Sequence, residues 1–258
     1  MDIYKKIYNF GIVPVVALDY LEDAIPLAQA LCTGGLEVVE ITYRTPCAKD
    51  AIVDIQQAFP NMLIGAGTIL TKEQAKSAYE AGAQFIVTPG FNEEVVEYCL
   101  IEKIPIIPGC SSASDIEKAL HLGIEIVKFF PAEASGGLAS IKALSAPYSM
   151  MQFMPTGGIN EDNMNEYLQF DKVLACGGSW MVNSKLINQH EFEKICKLTR
   201  TAILKMLQLQ ILDFDCEKEI TVITTSQLER AMFHLQRWGL RFDKQYCEKF
   251  KFYLKEAD

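Results

Sequence analysis

Short apolar runs alternate with longer amphipathic stretches along most of the chain. The apolar runs are rich in β-branched residues and cover 12–18, 38–43, 63–68, 85–89, 105–108, 126–130, 152–155 and 172–175. Between them, apolar positions recur with helical spacing, as over 22–31, 49–58, 72–81, 93–102, 113–121 and 191–206. The apolar runs are continuous rather than alternating, which is typical of parallel strands covered on both faces.

Residues that start and stop helices fall at the ends of the amphipathic stretches. Thr71 with Gln74 predicts a capping box, and Asn92 and Ser112 are suitable N-caps. Glycine, a common C-terminal stop, follows three helical stretches at Gly34, Gly82 and Gly123. Eight strand-then-helix units predict an α/β fold, a (β/α)8 TIM barrel over 1–207 with an N-terminal helix. The alternative is a doubly wound open sheet, which normally has fewer units.

Composition and charge narrow the class of protein. The chain has 258 residues, of which 50% are hydrophobic and 22% charged, as in ordinary globular proteins. No apolar run approaches the roughly 18 residues of a membrane span, and no signal-peptide pattern opens the chain. A formal net charge of −9 disfavours nucleic acid and anionic membranes as partners. The eight cysteines form no C-x-x-C pair, so we expect reduced thiols in a cytoplasmic protein.

Lys128 lies in the apolar sixth run, within the sequence IVKFFP. Burial disfavours the charged ammonium, and a neutral amine is a nucleophile that forms a Schiff base with a carbonyl compound. The alternative is a lysine at a strand end that extends to solvent. The ends of parallel strands carry the active site of a barrel, and polar residues cluster at the other predicted strand ends as well.

Glu40, Thr42 and Arg44 are spaced by two residues, so on a strand they share one face. This spacing predicts a carboxylate and a guanidinium near Lys128. Glu40 would transfer protons, and Arg44 would bind a substrate carboxylate through two parallel hydrogen bonds. The alternative is that Glu40 and Arg44 form a purely structural ion pair.

Two glycine-rich segments follow the seventh and eighth runs, TGGI at 156–159 and GGSW at 177–180. TIM barrels frequently bind phosphate at this position, where glycine admits close backbone approach and helix N-termini add positive potential. The three histidines, His121, His190 and His234, do not fall at strand ends. We therefore expect neither a metal site nor a cofactor.

Together these motifs resemble the 2-keto-3-deoxy-6-phosphogluconate (KDPG) aldolase family, also called the 4-hydroxy-2-oxoglutarate (KHG) aldolases. The resemblance spans about 4–206 in family order. It rests on VEITYRT at 39–45, GAGTIL at 65–70, VTPG at 87–90, IPG at 107–109, KFFPAEA at 128–134, PTGGI at 155–159 and GGSW at 177–180. One departure is Met154, where the family often has cysteine; we expect only a packing change.

The resemblance implies a class I aldolase, usually a homotrimer, that cleaves KDPG to pyruvate and glyceraldehyde 3-phosphate without metal. It makes Lys128 the Schiff-base lysine and Glu40 the general acid and base. The implied substrate-binding residues are Arg44 and Thr68 for the pyruvate carboxylate, Pro89 and Phe130 around the pyruvyl group, Thr156 near the reacting carbons, and Gly157, Gly158, Gly178 and Ser179 at the phosphate. KHG is a second implied substrate.

Other functions stay open from the sequence. One alternative is cleavage of the phosphogalactonate isomer, although that branch typically lacks the arginine matched by Arg44. A second is another phosphate-binding barrel enzyme in which Lys128 is an electrostatic group. A third is a protein that binds a metabolite without catalysis.

The segment 208–258 extends beyond the predicted barrel. A strand over 219–224, a helix over 227–238 capped by Thr225 or Ser226, and a last strand containing Phe250, Phe252 and Leu254 predict a β-α-β unit. It loosely resembles half of a glyoxalase-like module. Because it is too small to bury its own core, we expect it to pack on the barrel or on a neighbouring subunit. A regulatory role is the lesser alternative.

Overall fold

The computed structural model describes residues 2–215, 220–242 and 251–255. An N-terminal helix, α1 (Ile3–Phe10), precedes alternating strands and helices. The strands are β1 (Ile12–Val16), β2 (Val38–Thr42), β3 (Leu63–Gly67), β4 (Phe85–Val87), β5 (Ile106–Ile107), β6 (Ile126–Phe129), β7 (Gln152–Pro155) and β8 (Cys176–Gly178). The helices are α2 (Ala24–Gly34), α3 (Ala48–Ala58), α4 (Lys72–Glu80), α5 (Glu93–Ile101), α6 (Ala113–His121), α7 (Gly137–Ser145), α8 (Met164–Leu168), α9 (Ser184–Asn188) and α10 (Phe192–Leu207).

All eight of these strands run parallel. Six form one sheet in the order β5-β4-β3-β2-β1-β8, and β6 pairs with β7. Single bridges join the two groups, between Gly109 and Lys128 on one side and between Thr156 and Gly177 on the other. The strands therefore curl into a TIM-barrel-like ring, which confirms the predicted fold.

The eighth strand was predicted too early. Its ladder with β1 runs through Cys176 and Gly178, whereas Val173 in the predicted run makes only a single bridge to β7. Glycine is depleted in strands, so the pair Gly177-Gly178 has the signature of a turn. Here the pair lies within the strand. Glycine is needed at Gly177 because a side chain there would collide with Thr156 at the end of β7.

The helix starts agree closely with the predicted caps. The Thr71 hydroxyl accepts the Gln74 N–H at 3.2 Å. The Gln74 side chain, however, accepts the N–H of Leu70 rather than that of Thr71, so the predicted capping box is shifted by one residue. The side chains of Asn92 and Ser112 each accept a backbone N–H in the first turn of the next helix. These bonds satisfy donors that a helix leaves unpaired.

The core fills the barrel and the space between strands and helices. Phe85, Phe129 and Phe153 are fully buried. Gly65 is needed beside Phe85, because a Cβ at this position would lie 2.2 Å from the ring. Among the described helices, none is both long enough and apolar enough to cross a bilayer.

The extension contains more strands than expected. In the described residues it consists of β9 (Gln210–Asp215), β10 (Ile220–Thr224), α11 (Leu228–Arg237), β11 (Arg241–Phe242) and β12 (Lys251–Lys255). These strands form an antiparallel sheet in the order β11-β12-β10-β9. The predicted strand, helix and last strand correspond to β10, α11 and β12, but the prediction missed β9 and the two-residue β11. The short β11 is below the length at which periodicity is visible, and Phe250 lies outside the described residues.

The helix of the extension packs on the barrel. Neither Thr225 nor Ser226 is the N-cap of α11; Gln227 holds that position, and Thr225 Oγ1 accepts its N–H at 2.9 Å one residue before the helix. Gly239 follows the helix with φ +84°. Arg230 is 2% exposed and donates hydrogen bonds to the carbonyl oxygens of Tyr8 and Leu174 at 2.9 and 3.0 Å. The extension therefore supplies polar partners to backbone carbonyls of α1 and of the segment before β8.

Candidate active site

A buried lysine and a buried glutamate meet inside the barrel. Lys128 on β6 is 5% exposed and Glu40 on β2 is fully buried. Their Nζ and Oε1 atoms are 3.3 Å apart. Lys128 thus lies inside the barrel and does not extend to solvent as the alternative interpretation required. Burial of this pair needs good geometry, since each charge loses its hydration.

Gly67 makes room for the Glu40 carboxylate. A Cβ at Gly67 would lie 2.0 Å from Glu40 Oε1 and 2.7 Å from its Cδ. Gly67 stands opposite Thr42 in the ladder between β2 and β3, two pairs beyond Glu40 and Gly65. Among the described residues, the other carboxylate oxygen of Glu40 has no hydrogen-bond partner. One oxygen therefore faces the amine while the other remains available as a proton acceptor.

Arg44 and Thr68 meet just beyond the ends of β2 and β3. Arg44 Nε donates a hydrogen bond to Thr68 Oγ1 at 3.2 Å. Thr68 has φ +56°, a left-handed conformation that is uncommon for threonine and more frequent at functional sites. Within the described chain, Arg44 makes no ion pair with Glu40, so the expected alternative of a structural pair is wrong. Thr42 on the same strand instead bonds the Val16 carbonyl at 2.8 Å.

Phe130 lies beside the lysine, and Pro89 packs against Gly109, which pairs with Lys128. The Lys128 Nζ lies 5.4 Å from the centroid of the half-buried Phe130 ring. Pro89 follows β4, and its carbonyl approaches Gly109 so closely that a Cβ there would lie 2.3 Å away. Thr88 ties the same loops together, because its Oγ1 accepts the Gly109 N–H at 3.2 Å. Gly67 and Gly109 are needed because neighbouring atoms pack where a side chain would lie. The sequence alone does not show this need.

The first glycine-rich loop lies against Phe130. Thr156 at its start is buried, and among described residues its Oγ1 has no hydrogen-bond partner. Gly157 and Gly158 have φ +96° and +84°, a region that favours glycine. A Cβ at Gly157 would lie 3.2 Å from the Phe130 ring. The loop therefore combines a free hydroxyl with backbone that can approach a ligand closely.

The second glycine-rich loop is adjacent to the first through the bridge of Thr156 to Gly177. Gly178 is buried under the Trp180 ring, and Ser179 is exposed. The helices after the two loops, α8 and α9, are only five residues long and begin at Met164 and Ser184. Because a helix dipole acts mainly within its first turn, the expected helix N-termini do not adjoin the glycines. Anion binding here would depend on loop N–H groups and hydroxyls.

The described part of the chain holds no group of three or more His, Cys, Asp or Glu side chains that could bind a metal ion. His234 is buried in α11, where its Nε2 contacts the Phe10 carbonyl oxygen at 3.1 Å. His190 lies 3.1 Å from a carboxylate oxygen of Asp23. The histidines thus lie apart from the Lys128 and Glu40 pair.

A buried amine beside a carboxylate, at the strand ends of a parallel barrel, is the arrangement that the chemistry of a class I aldolase requires. Comparison with known proteins gives the family. The profile of the KDPG and KHG aldolases matches residues 3–198. The chain belongs to the KDPG and KHG aldolase family and is an aldehyde-lyase of the Schiff-base type.

Relatives support this assignment over most of the barrel. The 2-dehydro-3-deoxy-phosphogluconate aldolase of Treponema pallidum is 49% identical over 203 residues, covering 79% of this chain and 97% of the relative. The KHG/KDPG aldolase of Escherichia coli K12 is 42% identical over 192 residues, covering 74% and 90%. A KDPG aldolase structure from Legionella pneumophila, with pyruvate captured as a covalent carbinolamine, has a TM-score of 0.76 and 39% identity, covering 78% and 98%. The family match ends before the extension.

Proposed function

We propose that this enzyme cleaves KDPG to pyruvate and glyceraldehyde 3-phosphate, with KHG as a second substrate. The observation that carries the proposal is the buried contact of 3.3 Å between Lys128 Nζ and Glu40 Oε1. The names of the relatives support the same substrates. A relative from Zymomonas mobilis, 36% identical with a TM-score of 0.73, has been solved with 3-phosphoglycerate, a compound with a phosphate at its end.

In the proposed mechanism the neutral amine of Lys128 attacks the C2 ketone of the substrate, and loss of water gives a protonated imine. The imine accepts the electron pair of the C3–C4 bond while Glu40 takes the proton of the C4 hydroxyl. Glyceraldehyde 3-phosphate leaves, and the remaining enamine is protonated at C3 with the help of Glu40. Hydrolysis of the imine releases pyruvate and restores Lys128.

The other substrate contacts are those that the family resemblance implies, and the positions of their residues support them. Arg44 and Thr68, joined at 3.2 Å, form a cation and hydroxyl suited to the pyruvate carboxylate. We assign Phe130, 5.4 Å from Lys128 Nζ, and Pro89 to the pyruvyl group. We assign Thr156, whose hydroxyl has no partner among the described residues, to the reacting carbons. The phosphate is assigned to the two glycine-rich loops, with Gly157, Gly158, Gly178 and Ser179.

Trapping of the imine tests the chemistry directly. Borohydride with pyruvate should attach a three-carbon adduct to Lys128, and Lys128→Met should abolish the adduct. Lys194→Met is the matched control, because Lys194 is an exposed lysine on α10 far along the chain from the strand ends. An adduct that persists in Lys128→Met would show that another lysine reacts.

A substrate panel tests the specificity. Pyruvate release coupled to lactate dehydrogenase should give the highest kcat/KM for KDPG, followed by KHG. A preference for the phosphogalactonate isomer would reassign the substrate while leaving the Schiff-base chemistry intact. Absence of pyruvate release from every substrate would favour a binding protein.

We further propose a cytoplasmic homotrimer. The family resemblance implies the trimer, and Ile101 on α5 is 77% exposed, which suits a subunit contact. The described cysteines are free thiols, as expected in a reducing compartment. Sedimentation should give three times the chain mass, and Ile101→Asp should shift the measured mass toward that of the monomer. Cell fractionation should recover the activity in the cytoplasmic fraction.

We propose to divide the chain into a barrel domain over 1–207 and an extension over 208–258. The division rests on the end of α10 at Leu207 and on the separate antiparallel sheet that follows. Removal of 208–258 should expose Phe10 and free the carbonyls bound by Arg230. We expect loss of solubility or assembly, whereas a changed ligand response at full stability would indicate regulation.

A further inference from the structure

A tyrosine and a glutamate join the loops that follow β6 and β7. Glu133 opens a single helical turn after β6, and Tyr167 lies on α8. The Tyr167 hydroxyl donates a hydrogen bond to Glu133 Oε1. Tyr167 is only 2% exposed, whereas Glu133 is exposed. Desolvation and the Glu133 carboxylate both raise the pKa of Tyr167, so its hydroxyl stays a donor at neutral pH.

Glu133 lies directly against the glycine loop proposed to bind phosphate. Its backbone N–H donates to the Gly157 carbonyl at 3.1 Å. A Cβ at Gly158 would lie 2.5 and 2.7 Å from Glu133 Cγ and Cβ, so only glycine lets this side chain pack there. The first carbon atoms of the Glu133 side chain therefore touch the backbone of the loop.

Both glycine carbonyls accept hydrogen bonds from neighbouring residues. Gly157 is held by the Glu133 N–H, and the Gly158 carbonyl accepts from Asn163 Nδ2 at 3.1 Å. In a trans peptide the C=O and the following N–H point in opposite directions. The N–H groups of Gly158 and Ile159 therefore point away from these donors, where they can receive an anion.

This arrangement places a negative charge beside a site for a more negative ligand. The substrate phosphate carries nearly two negative charges, and like charges repel most strongly where solvent is partly excluded. The Tyr167 hydroxyl accounts for the position of the carboxylate, because it anchors Glu133 Oε1 to α8. Without this hydroxyl, the exposed carboxylate is free to turn toward the phosphate.

We propose that Tyr167 is a positioning residue that holds the Glu133 carboxylate away from the substrate phosphate. The pair thereby sets the preference of the enzyme for phosphorylated over unphosphorylated sugar acids. This inference rests on the proposed function, because it assumes that the loop at Gly157 and Gly158 binds the phosphate.

The test compares Tyr167→Phe with wild type on two substrates. With KDPG, we expect KM to rise about 10-fold, the effect of one misplaced charge, while kcat changes less than about twofold. With 2-dehydro-3-deoxygluconate, the same sugar acid without phosphate, kcat/KM should stay within about twofold. Inorganic phosphate, used as an inhibitor of the unphosphorylated reaction, should bind about 10-fold more weakly to the variant.

A second variant separates charge from structure. Glu133→Gln added to Tyr167→Phe should return KM for KDPG to within about threefold of wild type, because the amide carries no charge. Failure of this rescue, or an equal rise of KM for both substrates, would overturn the proposal. If Tyr167→Phe does not fold, the single variant Glu133→Gln tests the proposal. Its affinity for inorganic phosphate should equal or exceed that of wild type. Phosphate binding weakened fivefold or more would show that the carboxylate assists the anion.

The proposed function can fail separately. If wild type forms no adduct with pyruvate and releases none from either substrate, the aldolase assignment fails. If it is active and Tyr167→Phe has an unchanged KM for KDPG, only the role of Tyr167 is refuted.

Discussion

Gly67→Ala tests the Lys128 and Glu40 pair without altering either charged residue. The new Cβ would lie 2.0 Å from Glu40 Oε1, whereas Cβ contacts under 3.0 Å are essentially never seen. The carboxylate oxygen must therefore move by at least about 1 Å, the difference between these two distances. Glu40 is fully buried, so the displaced carboxylate has little free space, and its 3.3 Å contact with Lys128 cannot persist unchanged.

We expect kcat to fall about 100-fold, since a misplacement of about 1 Å costs a catalytic group about that factor. This corresponds to about 2.7 kcal/mol of transition-state stabilisation. Coupled pyruvate release measures kcat, and borohydride trapping measures imine formation. Because Lys128 is intact, adduct should still form with pyruvate, which separates loss of proton transfer from loss of the nucleophile.

Two glycine variants serve as controls. Gly90→Ala adds a methyl group where no other atom lies within 4 Å, so its kcat should equal that of wild type. Gly65→Ala, on the same strand as Gly67, places a methyl group against the Phe85 ring of β4 and should lower stability. If Gly67→Ala folds as wild type and its kcat stays within about threefold of wild type, the reasoning about the carboxylate is refuted.

Three other predictions concern Glu40, Arg230 and His234. Glu40→Gln should lower kcat by about 10²–10⁴-fold while adduct still forms with pyruvate, and an unchanged kcat would remove Glu40 from the mechanism. Arg230→Met should lower the free energy of unfolding, measured in urea, by about 2–4 kcal/mol, because buried carbonyls lose their donor. The control Arg237→Met removes a partly exposed ion pair with Glu37 and should lower it by about 1 kcal/mol or less. Equal losses of stability in the two variants would contradict the role of burial. Burial, with the nearby charges of Arg237 and Arg230, lowers the pKa of His234 from 6.5 to about 4. The unfolded chain therefore binds a proton that the folded chain does not, so stability should fall by up to about 3 kcal/mol as pH decreases from 6.5 to 4. His234→Gln should remove that part of the pH dependence, and an identical slope in wild type and variant would contradict it.

Periodicity predicted the barrel because each strand-helix unit carries its own signal. The continuous apolar runs at β2 and β3 follow from burial on both faces, and caps such as Ser112 satisfy donors within one turn of their own helix. The eighth strand was misplaced because it contains Gly177, a residue that packing against Thr156 requires but that strand propensity disfavours. The strands β9 and β11 were missed because strand pairing, which periodicity does not show, defines them, and β11 has only two residues.

The order of strands and helices in the barrel and the aldolase family could both be inferred from the sequence. Local periodicity and a run of motifs carry that information, since both depend on residues close in the chain. The folded barrel was needed to show that Lys128 is paired with Glu40 and not exposed, and that Arg44 bonds Thr68 and not Glu40. It also decided that Gly67 holds space for a carboxylate and that Tyr167 holds Glu133. These contacts join residues from different strands and loops, and their geometry exists only once the barrel has closed.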